Sequence, residues 1–536
     1  MAEVAPAASS TPSERAQPVQ VVGVAAPIGW GALALLALVL TRLTSAGLLY
    51  QQGFGALSAD GYLRVLLAAD WATQPYFALS GVWLPGHLYA LGTVLMLWPD
   101  LLVAPRVFSL ALGCLALLLV AWQGSTLARD WRGGLLAALL LATDPASLWL
   151  SATPLAENLA LVLLLATLTA TTQGLRSGRT GWFLLAGGML ALANAVRFEG
   201  WLISALWGGM LVLRLRQQLP RPWLLGATLL ALLGVAPVAF LVGNGVTLGD
   251  PFFWPNAFRA YNLRAYGPGP DPAGAWEALW LAGGPLILAY AAASVWAARQ
   301  PDRAVRVALL LTAPPLLIAL VALALGREPL VNGLRYLVPF LVLLVPLTGA
   351  AGLALLGWLA RAGRGLMLAM LALSAGVLAW RLLTSSPPVE PSTRGLAVGQ
   401  QIAALRASGA LPAGAVVIAA ESLAAYAMMV GANDSERLLL DRPLDPRWRV
   451  PPISTLDPAT ASACLAQYHA VALVRPLSEV PSEGEQLAVV NGYQVLRLPP
   501  RPGPCPGIAI RWGEVARETT GRLFAALAYA QEGEDQ

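Results

Sequence analysis

Unbroken apolar runs of about twenty residues recur along this chain, and that length is what a helix needs to cross a bilayer. Inside hydrocarbon a backbone must satisfy its own hydrogen bonds, so only helices and closed barrels can span. The runs are continuous rather than alternating, which selects helices. Candidate spans fall at 24–43, 104–127, 133–150, 157–174, 180–196, 199–213, 223–243, 276–297, 304–325, 335–359 and 365–383. The 536 residues are 57% hydrophobic and 12% charged, whereas charged residues make up about a quarter of a soluble domain. The expected class is a polytopic α-helical membrane protein of about eleven spans, sited in the cell (plasma or inner) membrane.

Arginine placement orients the spans, since basic residues are enriched in cytoplasmic loops. All 34 basic residues are arginine. Arg129 and Arg132, Arg176 and Arg179, Arg214, Arg216 and Arg221, Arg299, Arg303 and Arg306, and Arg361 and Arg364 fall in alternate short loops. Those loops are predicted to be cytoplasmic, which puts the 44–103 loop, the 244–275 loop and everything after about 385 outside. The same scatter leaves no basic face for nucleic acid. Residues 1–22 read as a disordered tail, 23–384 as the membrane domain, and 385–536 as a soluble α/β extracytoplasmic domain. In that last domain short strands are expected at 416–418, 438–440, 470–474 and 493–497, with helical patterns at 395–408, 421–430 and 458–467. It has no glycine-rich phosphate loop, so structural support or acceptor docking is its expected role. Cys464 and Cys505 would share an oxidising compartment and could pair, although spacing alone does not set their separation.

The first outer loop holds a stretch too polar to span, Leu57 to Asp70. Ser58 is an expected N-cap, Asp60 then sits in the first turn, and Tyr62, Leu63, Leu66 and Leu67 recur at helical spacing. This predicts an amphipathic helix in the membrane surface, with Asp60 at the water–lipid boundary. His87–Trp98 is too short to span and is expected to be a second interfacial or re-entrant helix. The 244–275 loop, rich in Pro, Gly and aromatics, reads as a lid over a lateral opening or as a packed connector.

Charge near hydrocarbon is costly and tends to mark function. At the expected outer ends of spans stand Asp144-Pro145, Glu157, Arg197-Phe198-Glu199 and Arg335-Tyr336, the last after Arg327-Glu328. Glu157 could be a simple helix-start residue or an orienting carboxylate. Arg197 and Glu199 are two apart and would not face each other on a helix, so each is expected to find a partner elsewhere. A guanidinium offers a phosphate two charge-assisted hydrogen bonds, which suits Arg197 and Arg335 to that task. A divalent metal could draw on Asp60, His87 and Glu157, but no close ligand spacing supports one.

Taken together, Asp60-Gly61-Tyr62, Pro85-Gly86-His87-Leu88-Tyr89, Thr143-Asp144-Pro145, Glu157, Arg197 to Trp201 and Arg335 to Pro339 resemble the GT-C class of integral-membrane glycosyltransferases. The nearest branch is that of the protein O-mannosyltransferases and aminoarabinose transferases, over roughly residues 25–385. The resemblance implies hexosyl or pentosyl transfer from a polyprenyl-phosphate-linked donor to a lipid, glycan or protein acceptor on the outer face. It implies Asp60 as general base, Glu157 as the second catalytic acid, and substrate contacts from Tyr62, His87, Arg197, Glu199, Arg335 and Tyr336. Gly61 stands where that class often carries a second adjacent acid. Two other classes compete: a flippase or other transporter of polyprenyl-linked sugar, and a noncatalytic scaffold that displays the C-terminal domain. The bare span centres and the clustering of charge at one side favour the transferase.

Overall fold

The computed structural model describes residues 28–513, apart from 79, 216–221, 267–268, 327–329, most of 364–384, 389, 421–422, 442–450 and 478–483. The expected N-terminal tail, Arg327-Glu328 and most of the 365–383 span lie outside the described residues.

Six described helices are long and apolar enough to cross a membrane, and the chain is a multi-pass membrane protein. They lie within α1 (Ile28–Gln51), α4 (Val103–Ala128), α7 (Ala156–Ser177), α10 (Pro222–Leu248), α14 (Arg303–Gly326) and α15 (Leu330–Ala362). Two expected spans are each bent. Helices α5 (Trp131–Ala142) and α6 (Pro145–Ser151) meet at 73°, and α12 (Pro272–Gly283) and α13 (Leu286–Arg299) at 85°. Counting each bent pair once gives eight. The expected spans at 180–196 and 199–213 are the 17-residue helices α8 (Thr180–Val196) and α9 (Glu199–Leu215).

The first bend has a local cause. Asp144 ends α5 and caps α6, its Oδ2 accepting from Ser147 N at 2.8 Å, and Pro145 fits the first helical position. Orphan groups at such a break need partners. Arg42 of α1, 2% exposed, supplies them, donating to Leu141 O at 3.2 Å, Ser147 O at 2.8 Å and Ser151 Oγ at 3.0 Å. Helix α15 runs through the middle of the bundle against α4, α5, α7, α12, α13 and α14, and its residues from Gly333 to Ala350 are buried almost without exception.

The first outer loop folds into α2 (Asp60–Thr73), α3 (Gly86–Leu97) and their connection. Helix α2, expected to be amphipathic, has no broad wet face. Gly61 through Ala68 are all buried, because α3 and the C-terminal domain pack on α2. Trp512 Nε1 donates to Leu66 O at 3.2 Å, and Tyr62 Oη meets Thr393 Oγ1 at 3.2 Å. Nor is Ser58 the N-cap: Ala59 precedes the helix, with no side-chain cap.

The C-terminal domain is a six-stranded sheet with order β4-β5-β3-β1-β2-β6, using β1 (Ala415–Ile418), β2 (Leu438–Leu440), β3 (Ala470–Pro476), β4 (Glu485–Val490), β5 (Tyr493–Arg497) and β6 (Ile510–Arg511). The expected helices appear as α16 (Arg394–Ala407), α17 (Ala424–Ala432) and α18 (Pro458–Gln467). Strands β4 and β6 escaped the sequence reading because β4 is largely exposed and opens on Glu485, and β6 is two residues long. Val416, Ile418, Ala472, Val474 and Val495 face α17 and α2, whereas Val417 and Leu473 face α18. Cys464 and Cys505 are disulfide-bonded, with Cα atoms 4.7 Å apart.

That bond spans 41 residues of sequence, a loop worth about 4 kcal/mol on the chain-entropy account. Reduction, or Cys505→Ser, is expected to lower the urea midpoint of this domain in pulse proteolysis. An unchanged midpoint would mean the bond contributes nothing.

Candidate functional site

Asp60 is the first residue of α2, where the helix dipole favours a carboxylate. Glu157 occupies the first turn of α7, just after Thr153-Pro154-Leu155 turns the chain into that helix. Arg335 and Tyr336 lie near the start of α15, and Arg197 closes α8. The four segments meet at one end of the bundle, and their ion pairs interlock. Arg335 Nη1 donates to Asp60 Oδ2 at 2.6 Å and to Ser58 Oγ at 3.3 Å, while its Nε donates to Glu157 Oε1 at 2.7 Å. The same Glu157 Oε1 accepts from Arg197 Nη1 at 2.6 Å. The Tyr336 ring lies 5.2 Å from the Arg197 guanidinium carbon and 5.8 Å from that of Arg335.

Arg197 and Glu199 were not expected to pair, and here the structure differs. Arg197 is extended (φ −148°, ψ 145°) and Glu199 opens α9, so no helix separates them. Arg197 Nε donates to Glu199 Oε2 at 2.9 Å and Nη2 to Oε1. Burial opposes the Arg197 charge, but Glu157 and Glu199 more than offset it and hold the guanidinium above its usual range.

Exposure separates the acids. The Glu157 side chain is fully buried, whereas that of Asp60 is 34% exposed. Asp60 uses one oxygen on Arg335 and has no hydrogen-bond partner on Oδ1 among the described residues. Of the expected site residues, Asp60, Glu157, Arg197, Glu199, Arg335 and Tyr336 thus come together. Tyr62 does not join them. Its hydroxyl turns to Thr393, and burial pushes its pKa up to about 12.

His87 also stands apart. It is 1% exposed, and neither ring nitrogen has a hydrogen-bond partner among the described residues. It lines a cavity of about 40 Å³ with Leu63, Arg64, Leu67, Trp83 and Leu84. Burial, reinforced by Arg64, pushes its pKa down to about 3. Arg64 was missed in the sequence. It follows Asp60 by four residues, a spacing that puts both on one helix face, and that was the available signal. Arg64 is 7% exposed, lies 4.5 Å over the Trp83 ring, and leaves Nε without a partner among the described residues. The other omission is aromatic: Phe198 stacks on Trp254 of α11 (Phe253–Tyr266) at 3.9 Å, within the loop read as lid or connector. No group of three His, Cys, Asp or Glu residues that could hold a metal occurs among the described residues.

Two outcomes follow from this geometry. Removing one member of a buried ion pair strands the other and costs about 3–5 kcal/mol, so Glu157→Gln is expected to lower the unfolding midpoint sharply. An unaffected midpoint would mean the network carries little. For His87 the folded pKa lies below the free value of 6.5. The unfolded chain therefore takes up the proton first, and stability is lost as pH falls from about 6.5 toward 3. His87→Leu should flatten that slope, and equal slopes would refute it.

No protein-family profile matches the chain, and no curated protein matches it in sequence. Solved structures do match in fold. ArnT from Cupriavidus metallidurans in the apo state superposes with a TM-score of 0.57 at 14% identity, covering 89% of this chain and 99% of that one. The same protein bound to undecaprenyl phosphate gives 0.55 at 13%, covering 89% and 100%. The apo oligosaccharyltransferase of Archaeoglobus fulgidus gives 0.50 at 13%, covering 84% of this chain and 70% of that one. The fold expected from the motifs, that of the GT-C class, is the fold the chain has.

Proposed function

We propose that this GT-C-fold protein is a glycosyltransferase that moves a sugar from a polyprenyl-phosphate-linked donor to an acceptor hydroxyl at the outer face of the membrane, with Asp60 as general base. The observation that carries the reading is the contrast within the network. Asp60 alone combines an exposed edge, a free oxygen and a guanidinium clamp, and so can take a proton while keeping its orientation. The neighbours add support, one being named an oligosaccharyltransferase and another holding undecaprenyl phosphate.

In this mechanism the acceptor oxygen forms a bond to the anomeric carbon, and its proton passes to Asp60. The bond from that carbon to the phosphate oxygen breaks with its electron pair, so the carrier leaves as a phosphate anion. A direct displacement inverts the anomeric centre. Growing charge on the leaving phosphate calls for fixed cations. Arg197 and Arg335, first assigned to that task, are engaged with Glu157, Asp60 and Glu199. Arg64 keeps an unpartnered donor and shares a cavity with a neutral His87, so the donor phosphate is assigned to this pair. Glu157, fully buried, then acts by holding Arg335 in place rather than by touching substrate. The transport alternative calls for polar groups spread along a path between the two faces, whereas these form one cluster.

Asp60→Asn is expected to reduce transfer about 100-fold or more, the usual worth of a general base. Mass spectrometry of membrane lipids should then show one polyprenyl-phosphate sugar accumulating to the level seen without the protein. Lipid pools equal to wild type would remove Asp60 from the mechanism.

A further inference from the structure

We propose that the C-terminal domain carries a second binding site, for an oxyanion, built by Arg475 and Gln494 at the carboxyl end of β3. This site stands independently of Asp60 and of the transfer reaction.

Topology picks out the place. Strands β1, β2 and β3 are parallel, and β2 and β3 flank β1 on opposite sides. The strand order therefore reverses at β1. In open α/β sheets, ligands bind outside the carboxyl ends of strands at such a reversal, where the flanking connections diverge. Arg475 is the penultimate residue of β3, just past the end of its pairing with β1.

Side-chain chemistry then says what is missing. Arg475 and Gln494 sit directly opposite each other on β3 and β5, so they share a face of the sheet. Leu473 and Leu496 pair two residues back on that same face, which is the α18 side and not the α2 side. Arg475 is 5% exposed and Gln494 3%. Even so, Arg475 Nε and Nη2 and Gln494 Nε2 have no hydrogen-bond partner among the described residues. All three are donors. Among the described residues no carboxylate pairs with this guanidinium, an unfavourable state for a buried charge, and the rest of β3 follows an apolar pattern that would accept a hydrophobic residue at this point. Two or three parallel N–H groups from a planar fork and a side-chain amide match a carboxylate or a phosphate, which offers two or more acceptor oxygens. Asp441, after β2 at the same edge of the sheet, is already engaged, accepting from Ala420 N at 2.8 Å and from Ser454 N at 3.1 Å.

The test uses the full chain in detergent at constant ionic strength, titrated with inorganic phosphate or with acetate against a chloride control. One of the two should raise the unfolding midpoint. A response to phosphate names a phosphoester as the natural ligand, and a response to acetate names a carboxylate. Arg475→Met and Gln494→Leu should each weaken the apparent Kd at least about tenfold. In chloride alone Arg475→Met should be as stable as wild type or more so, because it removes an unpaired buried cation. The proposal is overturned if neither anion acts on wild type, or if the response survives in both variants. It is equally overturned if Arg475→Met is strongly destabilised in chloride, which would show that Arg475 has its partner within the chain.

Discussion

The structure at the Asp60 end of the bundle depends on one oxygen. Glu157 Oε1 accepts from both Arg197 and Arg335, at 2.6 and 2.7 Å, and its side chain has no exposure. In a low-dielectric surrounding, an unpaired charge of either sign would be prohibitive. Three carboxylates and two guanidinium groups therefore interlock, Asp60, Glu157 and Glu199 with Arg197 and Arg335, and the Arg64 guanidinium lies near enough to feel the charge of Glu157 and Asp60. Their formal charges cancel, and the chain segments that bear them are held at fixed distances. What remains unsatisfied after that cancellation is informative: an oxygen of Asp60, and the Arg64–His87 corner with its partnerless nitrogens. Those are where a substrate can add interactions.

Rigidity at this point comes from two sides. Below, α15 brings Arg335 out of the most buried stretch of the bundle. Above, the C-terminal domain covers α2 through Trp512 on Leu66 O and Thr393 on Tyr62. A helix bearing a base should not drift by an ångström, since reactivity falls steeply with misplacement. The C-terminal domain is thus part of the scaffold of the Asp60 helix. Its opposite sheet face is left for the Arg475 and Gln494 site.

Much of this architecture was legible in the amino-acid pattern, because the rules that write it are local. Hydropathy marked the segments that became α1, α4, α7, α10, α14 and α15. Helix-start chemistry placed Asp60 and Glu157 in first turns. Alternation and turn residues located four of six strands. Failures have physical reasons as well. The two bent spans were hidden because Asp144-Pro145 and Gly284-Pro285 look like ordinary span interruptions until Arg42 and the neighbouring helices supply partners. Arg197 and Glu199 were judged by helical geometry, and the break between α8 and α9 voided that geometry.

By itself, the sequence determined that the chain crosses a membrane many times, that a polar loop follows the first span, and that acids and arginines gather at the ends of helices. Each of these follows from the free energy of placing one segment in oil or water. Only the tertiary structure decided which charges neutralise which. Arg335 is 275 residues from Asp60 and 178 from Glu157, and no local rule reaches so far. Partner choice there is set by burial, and burial depends on every helix packed around the site. The same packing decided that α2 would be covered by a protein domain, and that Arg64 and Arg475 would keep donors without a partner among the described residues.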